Sequence, residues 1–237
     1  MLSIKNLSKT YKGSNKGVKN LSIELHQGDI CAFIGANGAG KTTTIKSIVG
    51  IHPFDNGEVT LFDTKLEDDP EQFKAMIGYS PDTPTLYNNM TGKAYIELIA
   101  SLYKMDEGER DKNLAYLLKE LDFKSSVHEL ISSYSHGMKQ KLVLISLFMH
   151  NPKLIILDEP FIGLDPNATH FLINEMKNRA KEGVIILYST HVLEVAEKVC
   201  NKLVILNKGE VVVNDTMQNI IKEASLGEIF RGVTSIV

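Results

Sequence analysis

Residues 35–42 read Gly-Ala-Asn-Gly-Ala-Gly-Lys-Thr, a complete G-x-x-x-x-G-K-S/T pattern that follows the apolar run Cys-Ala-Phe-Ile and opens a segment of helical periodicity. No other stretch restricts the chain as tightly, because the pattern works only between a strand and a helix. Gly35, Gly38 and Gly40 let the backbone curl so that successive N–H groups face inward, and the helix start adds partial positive charge. Lys41 can then reach the β- and γ-phosphates of a nucleotide, and Thr42 offers a hydroxyl to Mg²⁺. The candidate phosphate-contacting run is Gly35, Ala36, Asn37, Gly38, Ala39, Gly40, Lys41, Thr42 and Thr43.

Composition narrows the remaining classes. With 237 residues, 43% of them hydrophobic, the chain buries a sizeable core and is not disordered. The apolar stretch 142–149 is far short of the ~20 residues that span a bilayer, and no charged-then-apolar leader opens the sequence. These features predict a chain that is neither secreted nor itself membrane-spanning. Two cysteines, Cys31 and Cys200, are too few for a disulfide scaffold and too far apart in sequence for a paired metal ligand, which fits a reducing cytosol. A net charge of −3 lacks the basic excess that binding a phosphate backbone requires, and the evident charge runs, 67–71 and 106–111, are acidic. Nucleic acid is not an expected partner.

Short apolar segments at 4–7, 18–25 and 30–34, separated by Gly13, Gly17 and Gly28, predict a small N-terminal sheet leading into the glycine loop. Ile45, Ile48 and Val49 predict a helix over 42–49 that ends at Gly50. From about 91 to 149 the spacing is helical throughout, first at Ala94, Ile96, Ile99, Leu102 and Tyr103, then at Leu114, Leu117, Leu118 and Leu121, then over 142–148. Beyond 154 short apolar strands at 154–158, 184–189 and 203–207 alternate with helical segments at 168–181 and 192–199, the pattern of a parallel sheet covered on both faces.

The strand 154–158 closes on two acids, Asp158 and Glu159, which a buried strand tolerates only at its exposed carboxyl end. Neighbours on a strand face opposite ways, so the two carboxylates take different tasks. Asp158 suits Mg²⁺, and Glu159 suits orienting and polarising the water that attacks a γ-phosphate. Gly-Leu-Asp-Pro at 163–166 follows, then a helix, then a strand that closes on His191, at the same sheet edge, where an imidazole can meet the γ-phosphate.

In these residues, and in their order along almost the whole chain, the sequence resembles the ATP-binding subunit of ABC transporters. GANGAGKT looks like that family's Walker A loop and LIILDEP like its Walker B strand with Glu159 as catalytic glutamate. GLDP, with Asp165, is similar to the D-loop, and His191 to the switch histidine. SYSHGMKQKL, residues 133–142, resembles the family signature, which assigns Ser135, His136, Gly137 and Met138 to the ATP of an opposing subunit, although the same serine can simply cap a helix. Tyr11 looks like the aromatic residue that stacks on adenine. Two positions depart from the family pattern. Asp82, in IGYSPDTPTLYNNMT, stands where a metal-contacting glutamine is usual, and His136 replaces the first signature glycine.

The resemblance implies an α/β P-loop NTPase (RecA-like) core with an N-terminal antiparallel β subdomain. It implies one domain over 1–237, a helical subdomain inserted at about 85–152, and a short C-terminal extension from about 215 to 237 with a helix near 217–224. It further implies ATP and Mg²⁺ as ligands, a head-to-tail dimer with a second copy or a related ATPase, a membrane permease as partner, and a place at the cytoplasmic face of the membrane. The segments around Asp82 and the signature look closest to ATPases of bacterial drug and peptide exporters. A soluble ABC-type ATPase acting on ribosomes or DNA is the competing reading. A guanine-specific N-K-x-D is absent, the nearest match being Asn207, Lys208, Gly209 and Glu210.

Overall fold

The computed structural model describes residues 1–11, 13 and 17–235. β1 (Leu2–Thr10) buries Leu2, Ser3, Ile4 and Leu7, and β2 (Gly17–Leu25) alternates buried and exposed side chains from Leu21 on, as a strand with one covered face does. β3 (Ile30–Gly35) is different, with every residue buried, the mark of a central strand covered on both faces. α1 (Lys41–Ile48) starts directly behind the glycine loop and stops at Val49, with Gly50 turning left-handed at φ +70°.

Between 51 and 80 the sequence pattern assigns no element, yet the structure places β4 (Asn56–Leu61), β5 (Thr64–Lys65), α2 (Pro70–Ala75) and β6 (Ile77–Ser80) there. α2 begins where Asp69 accepts the Gln72 N–H at 2.9 Å and proline follows the cap. Among the described residues, β2-β1-β4-β5 form an antiparallel sheet in that order.

α3 (Gly92–Leu102), α4 (Glu107–Glu120) and α5 (His136–Met149) occupy the helical stretch. Thr91, Asp106 and Ser135 cap them through their side chains, each worth roughly 1 kcal/mol. The acidic run 106–111 is thus a cap and a first helical turn, where negative charge meets the positive helix end. α5 starts six residues before the periodic run 142–148, because the cap and not the apolar spacing fixes its beginning.

β7 (Leu154–Asp158), α6 (Pro166–Lys181), β8 (Ile185–Ser189), α7 (Leu193–Val199), β9 (Lys202–Asn207) and β10 (Glu210–Thr216) follow. The second sheet runs β10-β9-β3-β8-β7-β6, parallel throughout except for β10 at its edge. Ile30, Ala32 and Ile34 point into one apolar cluster and Cys31 and Phe33 into the other, so the period of two along β3 sets the sheet between two cores. Ile96, Leu117, Phe123 and Leu142 of the helical stretch belong to the same cluster as Ile155 and Ile186 of the sheet. Both cysteines are buried and unpaired.

α8 (Met217–Glu223) and α9 (Leu226–Ser235) end the described chain. α9 is docked: Leu226 is fully buried, its N–H donates to Glu197 Oε1 at 3.0 Å, and Asn207 Nδ2 donates to the Val233 carbonyl at 3.1 Å. The last two residues of the expected C-terminal extension lie outside the described residues.

The strand order decides where chemistry can occur. β3, β8 and β7 are neighbours and parallel, so their carboxyl ends share one edge although β3 lies more than a hundred residues before the other two in sequence.

Candidate nucleotide site

At the end of β3 the chain passes so close to β9 that a Cβ on Gly35 would stand 2.7 Å from the Leu206 carbonyl oxygen. Gly40 closes the loop at φ +109°, a conformation open to glycine, and a Cβ there would meet Val18 at 2.7 Å. α1 begins without a side-chain cap, so its first N–H groups are free to bind an anion. Lys41 bends back over the loop, its Nζ donating to the Gly35 carbonyl at 2.7 Å and reaching the Ala36 carbonyl at 3.4 Å. Burial lowers its pKa, and the charges of Glu159 and Asp158 pull it back up.

Asp158 ends β7 with 1% of its surface exposed. Its Oδ1 accepts a short hydrogen bond from the Ser189 hydroxyl, while Oδ2 is buried with no hydrogen-bond partner among the described residues. Burial raises its pKa, against the hydroxyls of Ser189 and Thr42, and the charges of Asp82 and Glu159 raise it further. Glu159 then leaves the strand at φ +49°, a left-handed backbone that costs a non-glycine residue about 1–2 kcal/mol. Its N–H donates to Ser189 Oγ at 3.0 Å, and its Oε2 lies 2.9 Å from Nδ1 of the exposed His191. Ser189 therefore fixes both acids at once, a part that the sequence pattern does not reveal. Its only signal is a polar residue closing the apolar run of β8, paired with Asp158 across the ladder.

Ser135 accepts the Met138 N–H at 3.2 Å as the cap of α5, as the simpler reading expects. His136 lies over Gly163, where an added Cβ would stand 2.4 Å from its Cδ2, and a Cβ on Gly137 would strike the Gly163 carbonyl oxygen at 2.7 Å. Lys141 pairs with Asp165 at 2.7 Å, and Asp165 caps α6 by accepting the Ala168 N–H at 2.8 Å. Ser135–Met138 and Asp165 thus form one assembly of their own, joined by none of the hydrogen bonds among the described residues to the phosphate loop. His136 for glycine is accommodated because position 163 has no side chain.

Tyr11 lies at the end of β1 with Oη 3.0 Å from His52 Nδ1 and 3.4 Å from Thr43 Oγ1. Asp82 is exposed and accepts the Thr83 N–H at 2.8 Å, at the mouth of a cavity of about 520 Å³ that Tyr79, Tyr95 and Val143 also line. Among the described residues no group of three or more His, Cys, Asp or Glu forms a metal cluster, and no helix is long and apolar enough to cross a membrane.

A glycine loop between β3 and α1, with acids closing the next strand but one, defines a P-loop NTPase. The sequence matches the family model described as ABC transporter over residues 18–162. It is 36% identical to the ABC-type transporter ATP-binding protein EcsA of Bacillus subtilis (strain 168), over 99% of this chain and 96% of that protein. From the same organism, the linearmycin resistance ATP-binding protein LnrL is 31% identical over 90% of this chain and 68% of its own length. The SkfA peptide export ATP-binding protein SkfE is 31% identical over 89% of this chain and 87% of its own. A solved structure of the ATP-binding subunit of an ABC transporter superposes with a TM-score of 0.93 at 35% identity, covering 98% of both chains. A dimeric ATP-binding cassette bound to ADP and Pi shares the fold with a TM-score of 0.82 at 23% identity, over 92% of this chain and 99% of that one. The chain belongs to the ABC transporter family as an ATP-binding subunit, and its activity is ATP hydrolysis.

Proposed function

We propose that this subunit drives a membrane permease in export of a drug or peptide, working at the cytoplasmic face of the membrane as a head-to-tail pair with a second copy or a related ATPase. The carrying observation is the meeting of Lys41, Asp158, Glu159 and His191 at the shared edge of β3, β7 and β8. The names of LnrL and SkfE support the export direction.

In this reading Lys41 releases the loop carbonyls to bind the β- and γ-phosphates, and the uncapped N–H groups at the start of α1 hold the rest of the chain of phosphates, with the run from Gly35 to Thr43 wrapped around it. Glu159 takes the proton of the attacking water, oriented through His191 and through Ser189 at its backbone. Asp158 Oδ2, buried and without a hydrogen-bond partner among the described residues, fits a divalent cation or its water, and Thr42, Asp158 and Asp82 would hold it. When bound, Mg²⁺ neutralises charge on the β- and γ-phosphate oxygens. Ser135 to Met138 serve the ATP of the opposing subunit, Asp165 lies at the same interface, and Tyr11 stacks on the base.

Affinity purification of the full chain from membranes tests the partner. Recovery of a multi-span membrane protein is the expected result, and recovery of ribosomes or DNA in its place would overturn the transport reading.

A further inference from the structure

The turn behind α1 holds the end of β1 at several consecutive residues. Asp55 N–H donates to the Ser8 carbonyl at 2.8 Å, Thr10 N–H donates to Asp55 Oδ2 at 2.7 Å, and Lys9 Nζ lies 3.4 Å from Oδ1. Within the same turn, the N–H groups of Ile51 and His52 both donate to the Lys46 carbonyl, at 2.9 and 3.0 Å. His52 is therefore an outgrowth of α1, and its Nδ1 meets Tyr11 Oη at 3.0 Å. Thr43, inside α1, meets the same phenol at 3.4 Å. The rings of Tyr11 and His52 stand at 85° with centroids 6.0 Å apart, and the polar contact is made at the hydroxyl rim. Tyr11 itself is exposed. A cleft of about 670 Å³ opens beside the pair, lined in part by Tyr11, His52 and Pro53 and within the size range of small-molecule sites.

We propose that His52 is a positioning residue for the nucleotide base: with Thr43 it locks the Tyr11 phenol to α1, so the base platform and the phosphate loop keep one spacing. The proposal rests on the reading of Tyr11 as the base-stacking residue. Physically, a tyrosine at a strand end loses side-chain freedom when a base stacks on it, and two hydrogen bonds to its hydroxyl remove that cost beforehand. The pattern is satisfied when the phenol donates to Nδ1 of an Nε2-protonated imidazole and accepts from the Thr43 hydroxyl.

Calorimetric titration of the full chain with ATP and, separately, with inorganic triphosphate tests it. His52→Ala, which removes one of the two hydrogen bonds to the phenol, and Tyr11→Phe, which removes both, are each expected to raise the Kd for ATP about three- to tenfold. The double variant is expected to be no weaker than Tyr11→Phe alone, since His52 acts only through the phenol. His52→Asn, whose Oδ1 stands near the place of Nδ1, restores most of the affinity, and triphosphate binding is unchanged in all of them. Tyr11→Leu tests the underlying reading: unchanged ATP affinity there would overturn base stacking itself. If Tyr11→Leu weakens ATP binding while His52→Ala does not, the positioning role is overturned alone. Weakened binding of triphosphate by His52→Ala would also overturn it, since a general loosening of α1 would then explain the effect.

Discussion

His191 Nδ1 lies 2.9 Å from Glu159 Oε2, a contact that takes its proton from Nδ1 when the carboxylate is ionised, since an ionised carboxylate only accepts hydrogen bonds. The histidine thus holds the acid beside the edge where β3, β7 and β8 end. His191→Ala is expected to bind ATP with little change and to lose turnover on the order of 10²-fold, the scale of a misoriented reacting group. Steady-state hydrolysis alongside equilibrium nucleotide binding checks this, and wild-type turnover would remove His191 from the mechanism.

Lys41 Nζ is satisfied by the Gly35 and Ala36 carbonyls, and burial lowers its pKa against the charges of Glu159 and Asp158. Lys41→Ala is expected to weaken ATP binding by at least about tenfold, the lower end for a lost charge-assisted hydrogen bond. Titration calorimetry measures it, and a wild-type Kd would contradict the assignment of the loop.

Asp165 has a structural task that can be separated from any part in nucleotide binding. The Lys141 ammonium and the Ala168 N–H hold its carboxyl below the ordinary aspartate pKa. Its contribution to stability is therefore complete above the unfolded value near 4 and is lost as pH falls through the lower folded value. Asp165→Ala is expected to lower unfolding stability at pH 7 by about 1 kcal/mol, the usual worth of a helix cap. Denaturant titrations should show the difference from wild type shrinking below about pH 4; a difference that grew towards acid pH would refute the pairing.

Gly163 and His136 are steric partners. Gly163→Ala is expected to cost about 1–2 kcal/mol for its left-handed backbone alone, with a further penalty from the clash with His136. Adding His136→Gly should recover only the second part. Additive losses in a double-mutant cycle would show that the two do not touch.

Much of this was legible in the residues because local pattern and tertiary need coincide. GANGAGKT reports its own strand–loop–helix setting, and the near-continuous apolar runs of β7, β8 and β9 announce burial on both faces. Elsewhere the signal is weak. β4 is polar at its start and β5 is two residues long, so both exist through pairing with β1 and with each other and not through a pattern of their own. Ser189 is invisible for a related reason: one serine closing an apolar run gains its meaning only when the parallel register sets it beside Asp158. His52 likewise acquires a partner only when β1 folds back beside the turn behind α1. The departures at Asp82 and His136 divide in the same way, since the room for His136 comes from Gly163, which lies nearly thirty residues further on.

The central claim is that Glu159 is the base for ATP hydrolysis at a site whose binding groups lie elsewhere. Its most direct measurement compares ATP affinity and turnover in Glu159→Gln, which keeps the shape of the side chain and removes its charge. The account predicts a Kd close to wild type with hydrolysis reduced by about 10²- to 10⁴-fold. Hydrolysis at the wild-type rate would contradict it.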